Sequence, residues 1–228
     1  MMRRLILFDI DGTLAEGGPA KKAFCEAMLS TFGTVGTIGP YSFAGKTDPQ
    51  IAREMLIGSG FKDAEVNRGL SLLWDAYVKG LKSRIVENPM VLLPGVRELI
   101  QALKAETEVV LGLVTGNIVR GANIKIRSIG LEGNFQVGAY GSDHEYRQHL
   151  PGIALEKAME MWGVRFSKDC VFVVGDTPRD VSCGKYHGTK TMAVATGPFN
   201  KDELLTTGAD TVFEDFSEVS AVLKVLLA

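Results

Sequence analysis

Short apolar runs recur along the chain, and segments with helical spacing lie between most of them. The runs are rich in Val, Ile, Leu and Phe and do not alternate cleanly between apolar and polar residues. Strands that are buried on both faces of a parallel sheet have this pattern. The runs are LILFDI, VVLGLVT, VGAY, VFVVGD, TMAVAT and TVFED. We therefore predict an α/β fold with a doubly wound, mainly parallel, Rossmann-like sheet.

Helices are predicted between the apolar runs of the second half. In PGVRELIQALKAET the apolar residues Val96, Leu99, Ile100 and Leu103 recur at helical spacing. The segment PGIALEKAMEMWG has the same periodicity, and Gly163 at its end is typical of a helix C-terminus. This alternation of strands and helices is what a doubly wound sheet requires.

A long insert interrupts the alternation after the first run. About ninety residues separate LILFDI from VVLGLVT, whereas a βα connection needs far fewer. Most of the insert predicts helix, because AKKAFCEAMLSTFG is amphipathic and Asp48 with Pro49 suits the start of a second helix. A third helix carries an apolar stripe of Val66, Leu70, Leu73, Tyr77 and Leu81. Residues from about 16 to 90 therefore predict a small helical subdomain.

Composition argues against several classes of protein. The 228 residues include 25 basic and 27 acidic side chains, with a formal charge of −2, so we expect neither nucleic acid nor a membrane surface as a partner. Three cysteines without close pairs are typical of reduced thiols and predict a cytoplasmic protein. The first apolar run is too short for a secretory signal, and no stretch reaches the roughly 20 apolar residues of a membrane helix.

Two aspartates lie at the end of the first predicted strand. Asp9 and Asp11 flank Ile10, so extended backbone would point both carboxylates to the same side, and Gly12 permits a sharp turn after them. Neighbouring carboxylates repel each other unless a cation or a shared proton relieves them. An Asp at a strand end can also serve an Asx-turn or a helix cap. The position favours chemistry, because ligands of parallel α/β sheets bind at the carboxyl ends of the strands.

A second pair of carboxylates follows the run VFVVGD. Asp176 ends this predicted strand, and Asp180 lies four residues later, near the start of a helix. Together with a backbone carbonyl, Asp9, Asp176 and Asp180 would form a hard, all-oxygen site of the kind that Mg²⁺ prefers. Asp180 has an alternative role, which is to complement the positive N-terminal end of its helix.

A third strand ends in LVTGN. Thr115 offers a hydroxyl, and the backbone amides after it, beginning at Gly116, together with Asn117 offer donors at the start of a helix. This arrangement is typical of an anion site. The alternative is that Thr115 and Asn117 only cap the helix that follows.

With these three strand ends, the chain resembles a known family, the haloacid dehalogenase-like hydrolases. DIDGT matches the first motif of the family, Thr115 in LVTGN the second, and GDTPRD the fourth. The resemblance covers essentially the whole chain and is to the phosphoglycolate phosphatase-like branch, in which a helical cap is inserted after the first strand. It implies an α/β catalytic core of residues 1–15 and 91–228 and a helical cap of residues 16–90.

The resemblance also implies a role for each acidic residue. Asp9 would be the nucleophile, which forms an aspartyl-phosphate and so divides hydrolysis into two displacements. Asp11 would protonate the leaving alkoxide and then deprotonate the attacking water, for which we expect a raised pKa. Mg²⁺ would be bound by Asp9, Asp176, Asp180 and the main-chain carbonyl of Asp11. Thr115, Gly116 and Asn117 would bind the phosphate oxygens.

The third family motif is where this chain departs from the pattern. The family presents a Lys, or sometimes an Arg, shortly before a Pro and a helix, but no Lys precedes Pro151 in SDHEYRQHLPG. Arg147 is the candidate, to grip the phosphoryl oxygens or to hold Asp9, and His149 is a weaker one. The alternative is that Arg147 is a solvated surface residue.

The segment FAGKTD in the insert resembles the substrate-specificity segment of such caps. Lys46 within it would contact a substrate carboxylate or phosphate when the cap closes. A solvated Lys46 is the alternative.

The function that the resemblance implies is a Mg²⁺-dependent phosphatase. Its substrate would be a small soluble phosphomonoester, either phosphoglycolate-like or a sugar phosphate, and the protein would be a monomer or homodimer. A phosphomutase similar to the β-phosphoglucomutases is the first alternative, in which the phosphoryl group returns to a sugar instead of passing to water. A non-catalytic binding protein with the same fold is the second, because fold alone does not determine function.

Overall fold

A six-stranded parallel sheet forms the centre of the computed structural model, which describes residues 3–37 and 43–228. The strands are β1 (Arg4–Phe8), β2 (Ala15–Gly17), β3 (Met90–Leu92), β4 (Val109–Thr115), β5 (Val137–Tyr140), β6 (Val171–Gly175), β7 (Lys190–Val194) and β8 (Thr211–Phe213). The order in the sheet is β5-β4-β1-β6-β7-β8, and every neighbouring pair is parallel. The six runs that predicted strands are these six strands, so the predicted fold class is confirmed.

Helices connect the strands and cover both faces of the sheet. They are α1 (Ala20–Phe32), α2 (Asp48–Ile57), α3 (Asp63–Arg84), α4 (Val96–Ala105), α5 (Val119–Ser128), α6 (Leu150–Trp162), α7 (Pro178–Tyr186), α8 (Lys201–Leu205) and α9 (Val219–Leu226), with 3₁₀ turns at Arg147–His149 and Lys168–Cys170. The helices predicted from apolar spacing are present as α1 to α4 and α6. Gly163 has a φ of 63° and ends α6, as predicted.

β1 is buried on both faces, which explains why its sequence lacks alternation. Its backbone pairs with β4 on one side and with β6 on the other. Ile6 and Phe8 pack into the main hydrophobic core, whereas Leu5 and Leu7 pack into a second core on the opposite face. All four side chains have no exposed surface, so each of the four contributes hydrophobic stabilisation.

The two connections between the sheet and the insert are themselves short strands, which the sequence did not predict. β2 and β3 pair in an antiparallel two-stranded sheet, with Ala15 opposite Leu92 and Gly17 opposite Met90. The chain enters and leaves the insert at the same place and in opposite directions. Because the two segments run side by side, each satisfies backbone polar groups of the other.

The insert is helical, as predicted, and its helices pack against one another and against the main core. The ring of Phe24 in α1 lies 5.6 Å from the ring of Tyr77 in α3, and both belong to the cluster that contains Phe8 of β1. Four members of the predicted stripe of α3 are buried, and Leu70 is partly buried against the same core. Residues 38–42 of the predicted subdomain lie outside the described residues, and its limits at residues 16 and 90 stay a prediction.

Two further features bear on the class of protein. Among the described residues, no helix combines the length and the apolar character needed to cross a membrane. The three cysteines are free thiols, of which Cys170 and Cys183 are buried and Cys25 is partly exposed.

Candidate active site

The carboxyl ends of β1, β4 and β6 lie side by side at one edge of the sheet. Asp9 directly follows β1, Thr115 is the last residue of β4, and Asp176 directly follows β6. The backbone N–H of Asp9 donates to the carbonyl oxygen of Val174 at 2.9 Å, which holds the ends of β1 and β6 together. Parallel neighbouring strands bring residues that are far apart in sequence to one edge of the sheet, where α/β proteins bind ligands.

Three carboxylates form a buried cluster at this edge. One carboxylate oxygen from each of Asp9, Asp176 and Asp180 lies within 4.8 Å of the other two. Their residues are 6%, 2% and 1% exposed. Gly12 lets the carboxylate of Asp176 lie close to the turn after β1, because a Cβ atom on Gly12 would lie only 2.4 Å from Oδ2 of Asp176. The φ of Gly12 is 81°, a backbone conformation that also favours glycine. The sequence therefore predicted correctly that these acidic residues would meet.

Arg147 lies in the middle of the acidic cluster. Its Nη2 is 2.5 Å from Oδ1 of Asp180 and 3.1 Å from Oδ2 of Asp9, and it also donates to the carbonyl oxygen of Val114 at 3.3 Å. The residue is 5% exposed, so the alternative of a solvated surface arginine is wrong. Burial alone would lower the pKa of Arg147, but the carboxylates of Asp180 and Asp9 raise it above its usual value, and the guanidinium stays charged. The ring of His149 packs 4.2 Å from that of His144 instead.

Asp180 lies at the start of α7 and in the acidic cluster, and its role as a metal ligand stays a prediction. Its Oδ2 accepts hydrogen bonds from the backbone N–H of Thr177 at 3.0 Å and from the Thr177 hydroxyl at 2.6 Å. The backbone N–H of Asp180 in turn donates to that hydroxyl, which completes a capping box at the start of α7. Oδ1 of Asp180 accepts from Arg147. Asp180 is thus a helix cap and a member of the acidic cluster at the same time.

The cluster carries more negative charge than its own cation neutralises. Three buried carboxylates face the guanidinium of Arg147, and Oδ1 of Asp9 is buried without a hydrogen-bond partner among the described residues. Burial, with Asp180 and Asp11 nearby, raises the pKa of Asp9 to about 6 in spite of Arg147. Burial and the charges of Asp180 and Asp9 raise the pKa of Asp176 well above its usual value. The donor set is oxygen only, and the three carboxylates exceed the single positive charge of Arg147, so the cluster fits a hard divalent cation such as Mg²⁺.

Asp11 lies beside this cluster and is held by a residue that the sequence analysis did not single out. Nζ of Lys125 lies 2.7 Å from both carboxylate oxygens of Asp11. Nδ2 of Asn117 donates to Oδ2 of Asp11 at 2.7 Å. Lys125 belongs to α5 and shares its buried face with Ala122 and Ile126, and a lysine on an apolar helix stripe is the signal that could have found it.

The prediction that Asp11 has a raised pKa is wrong. Desolvation alone would raise the pKa of Asp11, but the charge of Lys125 and the hydrogen bonds from Asn117 and Lys125 lower it below the usual value. The carboxylate of Asp9 is a neighbour of Asp11 in the sequence, whereas the ammonium group of Lys125 is 114 residues away in the chain and approaches Asp11 only in the folded protein.

Thr115 and Asn117 meet at the end of β4, next to Asp11. Nδ2 of Asn117 donates to Oγ1 of Thr115 at 2.7 Å as well as to Asp11, and both residues are buried. The predicted anion-binding residues Thr115, Gly116 and Asn117 all line the cavity that Asp9 and Asp11 also line. The structure thus brings the three together with the two aspartates of DIDGT.

The segment FAGKTD covers this end of the sheet. The backbone N–H of Asp48 donates to the carbonyl oxygen of Gly116 at 2.7 Å, and the backbone N–H of Ile118 donates to Oδ2 of Asp48 at 2.8 Å. The helix cap of α2 is Thr47, whose hydroxyl accepts from Gln50, and Asp48 does not cap this helix as the sequence suggested. The carboxylate of Asp48 is instead used to hold the segment against the loop after β4.

Lys46 is partly shielded from solvent and already has a partner. Its ammonium group forms an ion pair with Glu54 of α2, and its side chain is 16% exposed. Lys46 also lines the cavity, so the structure places it at the site predicted for it while its charge is neutralised within the insert.

The cavity between the insert and the sheet has a volume of about 410 Å³. Its polar end contains the aspartates, Arg147 and the end of β4. Its other wall is contributed by the insert and is largely apolar, with Phe24, Phe43, Ile51 and Tyr77. A cavity of this size with a charged floor and an apolar wall is typical of small-molecule enzymes.

The fold and the aspartates at the strand ends are typical of an α/β hydrolytic enzyme, and known proteins similar to this chain belong to the same class. Residues 6–194 match the model of the haloacid dehalogenase-like hydrolase family. The chain therefore belongs to the haloacid dehalogenase-like hydrolases, and the predicted resemblance is confirmed.

Two curated relatives are similar over most of the chain. A phosphoglycolate phosphatase from Pseudomonas syringae pv. tomato is 29% identical over 200 residues, which are 85% of this chain and 70% of that protein. An N-acetylmuramic acid 6-phosphate phosphatase from Pseudomonas aeruginosa is 29% identical over 231 residues, which are 98% of this chain and 96% of that protein.

Solved structures share the fold at lower identity. A hydrolase from Pseudomonas syringae has a TM-score of 0.73 at 19% identity, over 97% of this chain and 98% of that one. A Bacteroides vulgatus protein provisionally assigned as a β-phosphoglucomutase has a TM-score of 0.70 at 21% identity, over 99% of this chain and 89% of that one. At these identities the likeness establishes the fold.

Proposed function

We propose that the protein is a Mg²⁺-dependent phosphatase that hydrolyses a small soluble phosphomonoester through an aspartyl-phosphate intermediate. The observation that carries the proposal is the difference between the two carboxylate oxygens of Asp9. Arg147 holds its Oδ2 at 3.1 Å, whereas its Oδ1 has no partner among the described residues. A buried carboxylate with one oxygen fixed and the other unpaired is prepared for attack on phosphorus.

The reaction proceeds in two displacements. Oδ1 of Asp9 forms a bond to phosphorus as the bond from phosphorus to the alkoxide oxygen breaks, and the alkoxide takes a proton from Asp11. A water molecule then attacks phosphorus, gives its proton to Asp11, and releases inorganic phosphate and the carboxylate of Asp9. Each proton that Asp11 donates in the first step is returned in the second, as acid–base catalysis requires.

The lowered pKa of Asp11 fits the second step directly. An ionised Asp11 is ready to accept the proton of water. The first step needs a protonated Asp11, and a bound phosphate supplies the condition for it, because a second negative charge close to the carboxylate raises its pKa. The acid form of Asp11 would therefore belong to the substrate complex.

The residues of the acidic cluster suit Mg²⁺. Asp9, Asp176 and Asp180, with the main-chain carbonyl of Asp11, would hold the ion. When bound, it would supply positive charge that offsets the repulsion between the carboxylate of Asp9 and the phosphate. Thr115, Gly116, Asn117 and Arg147 would bind the phosphoryl oxygens, since hydroxyl, amide and guanidinium donors stabilise charge on those oxygens.

We further propose that residues 16–90 act as a cap on a core of residues 1–15 and 91–228. The hydrogen bonds between Asp48 and the loop after β4 support this role, as does the close approach of Lys46 to Gly116. A cap in this position excludes water from the reacting groups and contributes the apolar wall of the cavity. Lys46 would reach a substrate only by leaving Glu54, so we assign it a secondary role at the rim.

Phosphoglycolate-like esters and sugar phosphates are the two candidate substrate classes. Relatives of about equal identity are named for a member of each. The volume of about 410 Å³ and the aromatic wall favour the larger class, because one face of a sugar ring is apolar and packs on aromatic side chains.

The test is phosphate release from a panel of phosphoglycolate and sugar phosphates, with Mg²⁺ and with EDTA. We expect release to need Mg²⁺ and to disappear in Asp9→Asn, which is nearly isosteric. Asp75→Asn, on the surface of α3, is the matched control and should keep wild-type activity. Activity of Asp9→Asn at the wild-type rate would show that Asp9 is not the nucleophile.

The same panel separates the alternatives. A phosphomutase would give no net phosphate release but would isomerise a sugar phosphate when primed with a bisphosphate. A non-catalytic binding protein would do neither, although the complete set of Asp9, Asp11, Asp176 and Asp180 argues against it. The cytoplasmic location and the monomeric or homodimeric state stay predictions.

A further inference from the structure

Lys125 is a buried lysine whose ammonium group is directed at one partner. The residue is 3% exposed, and Nζ lies 2.7 Å from Oδ1 and 2.7 Å from Oδ2 of Asp11. Lysines are almost never fully buried unless they are paired, because desolvation of the ammonium group is costly. The ion pair with Asp11 therefore compensates the cost of burying Lys125.

The carboxylate of Asp11 is held from two directions. Lys125 donates to both of its oxygens, and Nδ2 of Asn117 donates to Oδ2 at 2.7 Å. Asn117 is itself held by the hydroxyl of Thr115 at 2.7 Å. Rotation of the Asp11 side chain would break these charge-assisted hydrogen bonds, so the network defines the orientation of the carboxylate.

Asp11 is much more exposed to the cavity than Lys125 is. The side chain of Asp11 is 44% exposed, and that of Lys125 is 4% exposed. An ester entering the cavity can therefore reach Asp11, with Lys125 supporting the carboxylate from the helix α5. Lys125 also lines the cavity, but its ammonium group is engaged by both oxygens of Asp11, which is the arrangement of a supporting residue.

We propose that Lys125 is a positioning residue, which holds the carboxylate of Asp11 in the orientation needed to pass a proton to the leaving group. The proposal rests on the proposed function, in which Asp11 is the general acid and base. Proton transfer depends on short, aligned hydrogen bonds, so a freely rotating Asp11 would transfer its proton less efficiently.

The dependence on the leaving group tests this role. An alkoxide is a poor leaving group and needs the proton of Asp11, whereas the phenolate of an aryl phosphate such as p-nitrophenyl phosphate leaves without one. We expect Lys125→Met to lower kcat for an alkyl phosphate by about 100-fold or more. We expect a loss of less than about 5-fold for the aryl phosphate and little change in KM for either, since loss of positioning acts on the step that needs the proton.

A double variant tests whether Lys125 acts through Asp11. If it does, adding Lys125→Met to Asp11→Asn should cause no further loss of kcat. Arg127→Met, which removes a positive charge from the exposed face of the same helix, is the matched control and should leave both esters at the wild-type rate. Equal losses for the two esters, or independent losses in the double variant, would overturn the proposal.

A measurement without turnover separates this proposal from the proposed function. The midpoint of thermal unfolding is compared for wild type, Lys125→Met, Asp11→Asn and the double variant. Non-additive shifts are expected, because each single change leaves the other partner without its hydrogen bonds. Additive shifts would show that Lys125 does not hold Asp11. If the wild type releases no phosphate from any ester while the shifts are non-additive, the proposed function fails and the pairing stands.

Discussion

Nη2 of Arg147 lies 3.1 Å from Oδ2 of Asp9, inside the protein. The same nitrogen is 2.5 Å from Asp180, so one guanidinium links the end of β1 to the start of α7 through their carboxylates. This ion pair leaves one oxygen of Asp9 for chemistry and offsets part of the charge of the acidic cluster. We infer that Arg147 supplies the basic group of the third motif, from a position at which the sequence pattern departs from the family.

Removing the charge of Arg147 should cost both stability and activity. We expect Arg147→Met to lower the free energy of unfolding by about 3–5 kcal/mol, because it leaves buried carboxylates without their partner. We expect its phosphatase rate to fall by about 100-fold or more, as does the loss of a donor that stabilises transition-state charge. Urea unfolding and phosphate release measure the two effects. Arg147→Lys is the control and should retain part of both, and a Met variant with wild-type activity would exclude Arg147 from the site.

Mg²⁺ should stabilise the folded protein. A ligand that binds only the folded state adds about 2.7 kcal/mol at one hundred times its Kd, so the midpoint of thermal unfolding should rise with Mg²⁺ and fall again with EDTA. Asp176→Asn removes a charge from the cluster and should abolish most of this rise, whereas Asp169→Asn, on the exposed 3₁₀ turn, should keep it. An identical rise in wild type and Asp176→Asn would place the ion elsewhere.

Asp48 should make stability depend on pH. Burial raises its pKa to about 6 from the ordinary value of 3.8. Between these values the folded state keeps a proton that the unfolded chain has lost, so the contribution of Asp48 to the free energy of unfolding falls as pH rises from about 4 to about 6 and is constant above.

Asp48→Asn keeps an acceptor for the N–H of Ile118 but does not titrate. Relative to wild type, this variant should gain stability across that pH range, by at most about 3 kcal/mol. Chemical unfolding of both proteins at several pH values measures the difference. A difference that stays constant from pH 4 to pH 7 would contradict the assignment.

Gly116 should tolerate no side chain. A Cβ atom there would lie 2.0 Å from the backbone oxygen of Lys46, so Gly116→Ala must push the insert away from the loop after β4. We expect a loss of about 1–3 kcal/mol in stability. We also expect kcat/KM to fall by about 10-fold, because the cavity is no longer closed correctly.

Gly80→Ala is the control for this variant. Gly80 lies within α3, where the nearest atom to an added Cβ belongs to the flexible side chain of Arg84 at 3.2 Å. Alanine there should be neutral or mildly stabilising, since it has the higher helix propensity. The measurements are the unfolding midpoint and kcat/KM of both variants. Equal effects at the two positions would show that the contact between Gly116 and Lys46 is unimportant for stability and activity.

Local patterns determined the fold and the position of the acidic residues. The apolar runs predicted six strands because the part of a strand that is buried on both faces is apolar at every position, as residues 5–8 of β1 are. Asp9, Thr115 and Asp176 were then expected to meet, because parallel strands align their carboxyl ends at one edge. These inferences need only the period of a strand and the direction of its neighbours.

Tertiary structure decided which partners the charged residues have. Lys125 meets Asp11 across 114 positions, and Arg147 meets Asp180 across 33, whereas Lys46 is neutralised by Glu54 only eight positions away. The sequence left Arg147 either solvated or catalytic, and it contained nothing that opposed a raised pKa for Asp11. The charge of a side chain can be read from its type, but its burial and its pKa depend on neighbours that only the packed chain brings within a few ångströms.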